Sequence, residues 1–525
     1  MLMTGCLNED PKGQIEEQTA YASAADVERN LVATLYQNIG GNTESHGLMG
    51  TARGVYDFNS LTTDEQIIPV RGGDWYDGGF WQRLYHHSWT TSETPLHETW
   101  NYLYKVVMLC NRSMAQIEAN RGVLSPEQYL KYTSEVRAIR AMYQFYLMDM
   151  FGRVPVVTDY DTPLSKVVQS ERSSVYQYIL DELQQVAPYL ADERSNIQGN
   201  YYGRITRPVV WFLLAKLYLN AEVYMDDDWT DGKHLKGEEM TFLIDGRKMN
   251  AWQATEYYCD RITADGYRLE EDAASNFAIH NETSRENIFT IPMDKVLYAN
   301  QFWYLFRSRH YVHGGALGLD SENGTSATLQ TVHAFGYRSD EQDTRFNLNF
   351  YADTIKVGGK VVTLDDGQPL IYCPLEISTN TTGSDYEQTA GARMKKYEID
   401  PTAYGDGKLQ DNDLVLFRYA DVLLMKAEAM VRNGEDGSQP FNEVRERAHM
   451  PKRSCTLGNI LEDRLLELMW EGWRRNDLVR FGKYHLGYDM HRDVAREADG
   501  HTTVFPIPES VIELNGKLTQ NKGYE

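Results

Sequence analysis

The stretch "SPEQYLKYTSEVRAIRAMYQFYLMDMFGRVPVV", Ser125 to Val157, carries the reading of the fold. It opens with an N-cap serine, a first-turn proline and, at Gln128, a side chain placed to close a capping box. Tyr129, Tyr132, Val136, Ile139, Tyr143, Tyr146 and Met150 then recur at helical spacing until Gly152 and Pro155 end the pattern. Just upstream, from about His97 to Asn120, Trp100, Leu103, Tyr104, Val107, Met108, Met114 and Ile117 form a second apolar stripe of the same period. Two such helices joined by a short connection read as an antiparallel hairpin.

The same periodicity predicts helices at Ser173–Val186, Thr206–Val223, Ala251–Asp265, Leu414–Asn433 and Asn459–Lys483. In "VVWFLLAKLYLNAEVY" and "LVLFRYADVLLMKAEAMVRNG" small alanines alternate with large apolar residues. That pattern lets helices approach closely, as in stacked helix pairs, although no strict repeat period is legible. Between about Glu270 and Asp411 the chain turns to Gly, Asn, Thr, Ser and Asp with short apolar runs such as "NIFTIPM" and "KVVTL". Long connections inside a compact body are commonly functional, so this insertion is one place to seek a binding surface.

Composition narrows the partners. The 525 residues are 42% hydrophobic and 24% charged, as in globular proteins, with no apolar run near the roughly 18 residues of a spanning helix. With 52 Lys and Arg against 76 Asp and Glu, the formal charge is -24, which repels nucleic-acid phosphates and argues against a basic membrane-surface patch. Tyrosine is abundant, 35 residues against 17 Phe, and an aromatic ring with a polar edge suits surfaces that are half wet. The five cysteines are scattered and form no disulfide framework or metal-ligand spacing. Cys6, in "LMTGCLNEDPKGQ", resembles the lipid-accepting cysteine of a bacterial lipoprotein signal, without the basic and apolar regions that precede one.

The candidate site is the stretch "RGGDWYDGGFWQRLYHHSW", Arg71 to Trp89, where three tryptophans and two tyrosines stand between paired glycines. Large aromatics are by default packing residues. Here the glycines, Arg71, Asp74 and Asp77 mix polar groups among the rings, which suits a sugar: flat apolar faces need aromatic walls and a rim of hydroxyls needs carboxylates, amides and guanidinium groups. Asp64, in "LTTDEQ", and Asn42, in "GGNTES", add polar groups upstream. A second cluster, "LYANQFWYLFRSRHYVHGG", holds Tyr298, Trp303, Tyr304, Arg307 and Tyr311, and it either meets the first in space or packs beneath the loops.

Signatures of catalysis are missing: there is no HExxH, GxSxG or phosphate-cradling loop. His86 and His87 are adjacent, so on a helix they diverge by about 100° and cannot share a metal as an i, i+4 pair would. The run "DDDWTDGKHLKGEE" from Asp226 resembles a calcium loop through Asp227, Asp231 and Glu238, but Trp229 stands where an oxygen ligand belongs, so a solvated acidic loop is the stronger reading. No cofactor is expected otherwise.

The C-terminal motifs "RYADVLLMKAEAMVRNG", "NEVRERA", "ILEDRLLELMWEGWRRNDLVRFGKY" and "FPIPESVIELNGKLTQNKGY", together with "EVRAIRAMYQFYLMDMFGRVPVV", closely resemble the SusD/RagB family of surface glycan-binding lipoproteins, along nearly the whole chain. The resemblance implies a mostly α fold: a single large body with four degenerate tetratricopeptide-like helix pairs and a loop-rich insertion with few short strands. It divides the chain into a lipid anchor and tether at 1–20, lipidated at Cys6, and a body at 21–525, with the helical scaffold near 95–265 and 412–485 and ligand-binding loops near 40–94 and 270–411. It implies a non-catalytic protein at the cell surface of the outer membrane that binds an oligosaccharide and delivers it to a SusC-like, TonB-dependent transporter. By region, the sugar contacts correspond to Asn42, Asp64, Arg71, Asp74, Trp75, Tyr76, Trp81, Trp303 and Tyr304. The early loops are most like those of fructan (levan) binders. Under the same resemblance "WEGWRRNDLVRFG" is scaffold, with Trp470 and Trp473 placed on one helix. A peptide-capturing member of the family and a glycoside hydrolase are the alternatives.

Overall fold

The computed structural model describes residues 20–41, 47–49, 53–297, 300–405, 407–408 and 410–525. Cys6 and Asn42 therefore lie outside the described residues. Helices dominate: α1 (Phe80–Tyr85), α2 (Thr94–Ala119), α3 (Pro126–Phe151), α4 (Arg172–Val186), α5 (Arg207–Leu219), α6 (Ala251–Ala264), α7 (Trp303–Ser308), α8 (Tyr419–Arg432), α9 (Ser438–Arg447), α10 (Leu457–Leu468) and α11 (Arg474–Arg480). The capping box at the head of α3 forms as its sequence requires: Ser125 Oγ accepts from the Gln128 N–H, and Gln128 Oε1 accepts from the Ser125 N–H at 2.9 Å.

Consecutive helices lie against one another, α2 on α3, α3 on α4, α5 on α6, and α8 on α6, α9 and α10. These contacts establish helix pairing, not a sequence repeat. One hydrophobic cluster runs from Val27 to Ile507, so both ends of the described chain and the insertion close on the same core. No helix among the described residues is long and apolar enough to cross a membrane.

Strands are short and two-stranded. The paired elements that matter for the site are β1 (Gln66–Ile67) with β3 (Ser326–Ala327), and β2 (Asn287–Ile291) with β4 (Leu414–Arg418), both antiparallel. The expected helix Leu414–Asn433 is corrected here: its first five residues are strand β4, fully buried against β2, and the helix begins at Tyr419. "LVLFR" has one β-branched and one aromatic residue, Val415 and Phe417, and pairing with β2 together with burial of all five residues outweighs its helical spacing. The expected helix Asn459–Lys483 is likewise two helices. Met469 leaves the helical region at ψ 131°, Trp470 has φ 69° and Gly472 φ 76°, so Trp470 and Trp473 are not on one helix. The break turns the fully buried Trp470 indole onto the Asn349 carbonyl at 3.0 Å and brings Gly472 against the Tyr56 ring.

Buried ion pairs join the C-terminal helices. Arg418, at the end of β4, bonds Glu286 at 2.8 Å, Glu467 at 2.7 Å and Glu471 at 2.7 Å. Against the burial that would raise it, Arg447, Arg418 and Arg345 hold the Glu467 carboxyl well below the usual range. A second set links Lys216 to Asp421 at 2.6 Å, Arg464 to Asp421 and Asp477, and Arg480 to Glu428 and Asp477. Charges so placed are costly when a partner is removed, so the loss of one side chain from either set is expected to be destabilising.

Candidate functional site

The aromatic loop begins with a tight turn: the Arg71 N–H reaches the Asp74 carbonyl at 3.1 Å and the Asp74 N–H returns to Arg71 at 3.0 Å, with Gly72 at φ 64°. Trp75 (φ 63°) and Asp77 (φ 42°) then take left-handed backbone, which non-glycine residues adopt only when their surroundings hold them there. The surroundings are specific. The Trp75 indole donates to the Glu322 carbonyl at 2.9 Å, and its ring fills the space in which a Cβ at Gly324 would fall 2.7 Å from it. The Tyr311 hydroxyl donates to the Asp74 carboxylate at 2.9 Å. The aromatic loop and the second aromatic cluster thus meet in space.

The resulting face has three layers. Outermost are Tyr76, 61% exposed, Tyr311, and the charged Asp74, Asp77 and Arg53, the last two paired at 2.9 Å. Half-buried beneath them lie Trp75 and Glu322, and Trp303 is half-buried beside Lys408. The Lys408 ammonium stands 3.6 Å above the Trp303 ring, and the Trp303 indole donates to Gln301 at 2.9 Å. At the base are Trp81 and Tyr304, both buried. The Trp81 indole donates to Asp77 at 2.6 Å, and its ring meets Trp75 edge-on at 5.8 Å. The Arg307 guanidinium, held by Asp57 at 2.7 and 2.8 Å, lies 5.4 Å from the Trp81 ring and 5.0 Å from the Tyr304 ring. Burial raises the Glu322 carboxyl, with Arg307, Lys408 and Arg53 opposing and Asp77 adding.

Of the residues expected to touch ligand, Asp74, Trp75 and Tyr76 share this face, while Trp303 packs with Lys408 and Phe306. Four are corrected. Asp64 is buried and bonded by Arg474 at 2.6 and 2.7 Å, so its carboxylate is spent inside the scaffold. Arg71 is buried too and donates to Ser326 and to the Ala390 and Glu387 carbonyls; burial and the neighbouring Arg393 depress its pKa. Trp81 supports Trp75 from below, and the Tyr304 ring lies tilted against Tyr56 with centroids 3.9 Å apart. Their rings serve the floor of the face rather than its surface. Arg53, Asp77, Tyr311 and Glu322 complete the face. Only Tyr311 and Asp77 carried a sequence signal, as members of the two aromatic clusters, because no local pattern brings Arg53 or Glu322 to them.

The acidic run does not gather its carboxylates. Asp227 accepts from Ser173, Asp228 pairs with Lys522, and Asp231 with Lys233. Among the described residues, the one group of three His, Cys, Asp or Glu side chains whose donor atoms converge is His87, His491 and Glu497.

Comparisons with known proteins agree with this architecture. The profile of the family described as "SusD family" matches residues 244–524, and that of "Starch-binding associating with outer membrane" matches residues 50–219. The starch-binding protein SusD of Bacteroides thetaiotaomicron is 24% identical over 576 aligned residues, covering 100% of this chain and 96% of its own. A SusD-like protein of Bacteroides ovatus is 24% identical over 91% of this chain and 79% of its own. Among solved structures, a SusD superfamily protein from Bacteroides vulgatus superposes with a TM-score of 0.72 at 19% identity, over 96% of this chain and 99% of that one. Surface glycan-binding protein A from Bacteroides thetaiotaomicron, in complex with laminarihexaose, superposes at 0.70 and 18% identity, over 94% and 98%. With a profile that spans more than half of its length and a fold shared from end to end, the chain belongs to the SusD family.

Proposed function

We propose that this protein binds an oligosaccharide across the face built by Trp75, Tyr76 and Tyr311, without catalysis, and passes it to a SusC-like transporter in the outer membrane. The observation that carries the reading is the meeting of two aromatic clusters, distant in sequence, on one solvent-facing surface. Exposed tyrosine and half-buried tryptophan offer ring faces to a sugar, and Asp74, Asp77 and Arg53 offer hydrogen bonds to its hydroxyls. The family and the names of its relatives, starch-binding and laminarin-binding, support the ligand class. The likeness of the early loops makes levan the first polymer to test, beside starch and laminarin. The family description supports an outer-membrane location, with Cys6 as the lipidated residue.

The test is calorimetry of the purified chain against a panel of neutral and acidic polysaccharides, repeated with Trp75→Ala and Tyr76→Ala. Loss of an aromatic stacking partner removes about 1–3 kcal/mol, so binding should weaken roughly 5- to 150-fold in each variant. Unchanged affinity in both variants would move the site elsewhere. Binding of peptides in place of sugars would select the peptide-capturing reading, and release of new sugar ends would select a hydrolase.

A further inference from the structure

His87, two residues beyond α1, and the segment that follows α11 form a buried cluster that the glycan face does not use. His87 is held in left-handed backbone at φ 50°. Its Nε2 lies 2.7 Å from the Thr62 carbonyl and its Nδ1 2.8 Å from Glu497 Oε2. His491, set by a tight turn in which Tyr488 and His491 exchange backbone hydrogen bonds, places Nε2 2.7 Å from the other carboxylate oxygen. The Thr502 hydroxyl donates to Glu497 as well. All three side chains are at most 1% exposed.

Proton bookkeeping makes this arrangement demanding. A carbonyl oxygen only accepts, so His87 Nε2 carries the hydrogen and, in the neutral ring, Nδ1 presents a lone pair. That lone pair faces a carboxylate oxygen at hydrogen-bond distance, which is repulsive unless the two share a proton or, with a small opening of the pair, ligate one metal ion side by side. The donor atoms of His87, His491 and Glu497 lie within 4.8 Å of one another, close to the roughly 4 Å that two bonds of about 2.0–2.2 Å can span. A backbone carbonyl fixing the far nitrogen of a histidine is the outer support that metal-binding imidazoles require. Two imidazole nitrogens and a carboxylate suit zinc and neighbouring divalent ions, not calcium.

We propose that His87 Nδ1, His491 Nε2 and the Glu497 carboxylate bind one divalent transition-metal ion of the zinc class, tying the C-terminal segment to the base of the aromatic loop. Binding requires the His491 proton to sit on Nδ1 and releases to solvent the proton that otherwise bridges His87 and Glu497. The site acts as a clamp: the ion joins chain positions that α1 and the turn at Tyr488–His491 bring together, and it performs no chemistry on a ligand.

The experiment uses the full chain, stripped with a chelator, equilibrated with zinc and desalted before elemental analysis. The expected result is one zinc per chain in the wild type and in His501→Gln, and at least tenfold weaker retention in His491→Gln and Glu497→Gln. Zinc should raise the melting temperature of the wild type but not of those two variants. Cobalt(II) added to the wild type should give visible absorption bands that zinc abolishes, a readout that survives if the variants misfold. A wild-type chain that retains no stoichiometric zinc and shows no cobalt bands, or equal retention in His491→Gln, overturns the proposal. A melting temperature that follows pH but not zinc would overturn it too and leave a proton as the bridging cation.

Discussion

At the scale of single residues, ring identity does not decide role; exposure and hydrogen bonding do. Trp75 and Trp81 stand six positions apart in one loop, yet Trp75 is half-buried on the face while Trp81 lies beneath it with its indole on Asp77. The two positions therefore fail differently when truncated. Trp81→Ala opens a cavity beneath Trp75 and beside Arg307, and should destabilise the fold by about 3–5 kcal/mol in urea denaturation. Tyr76→Ala removes an exposed ring and should change stability by less than about 0.5 kcal/mol, leaving a loss of sugar affinity as its main effect. Equal destabilisation by both would contradict the layered arrangement. Pattern alone could not separate them, since a loop has no period that distinguishes its inner face from its outer one.

At the scale of elements, the C-terminal motifs are legible as scaffold, but their geometry is not. The residues of "WEGWRRNDLVRFG" do form the ionic core, yet a left-handed break at Trp470 to Gly472 replaces the continuous helix that its spacing suggests. Arg418 explains why. It stands at the end of a strand rather than inside a helix, and Glu467 from α10 and Glu471 from the break converge on it together with Glu286. Arg418→Ala would remove the one cation that Glu286, Glu467 and Glu471 have in common, leaving them to Arg447, Arg345 and Lys396. We expect a loss of about 3–5 kcal/mol, read as a lower urea midpoint, with aggregation or poor yield in the extreme. A loss below about 1 kcal/mol would mean that water or rearranged side chains can replace the guanidinium, and that the network is not what fixes the helix arrangement.

Across the whole molecule, the same burial that places charges in the core gives stability a pH dependence. Burial pushes the Glu65 carboxyl up to about 8, with Asp64 adding, against the Trp470 N–H and the Arg474 and Lys396 cations. Its folded pKa is raised, so the folded state keeps a proton that the unfolded state releases above about 4.3. This group's contribution is therefore fully present below about pH 4.3, declines as pH rises toward 8, and is absent above it. Glu65→Gln mimics the protonated form. The variant should gain on the order of a few kcal/mol relative to wild type at pH 8.5, and little at pH 5, in paired denaturation curves. A difference that does not change with pH would show that Glu65 is ionised in the folded protein throughout.

The sequence by itself determined the helices whose caps and stripes are local: Ser125, Pro126 and Gln128 start α3 and Gly152 ends it, because those interactions span only a few residues. The motifs of the C-terminal half sufficed to indicate the family, and the aromatic loop was legible as the region to examine. Tertiary structure alone decided which of its residues face solvent, that Asp64 belongs to Arg474 and Arg71 to the Ala390 carbonyl, and that Glu322 and Tyr311 lie against Trp75 and Asp74. It alone brought His87 to His491 and Glu497, some 400 positions away, which no reading of the adjacent His86 and His87 could show. The physical reason is the same in each case. Helical periodicity and capping are written in neighbouring residues, whereas desolvation and ion pairing depend on groups hundreds of positions away, which only the packed chain brings within reach.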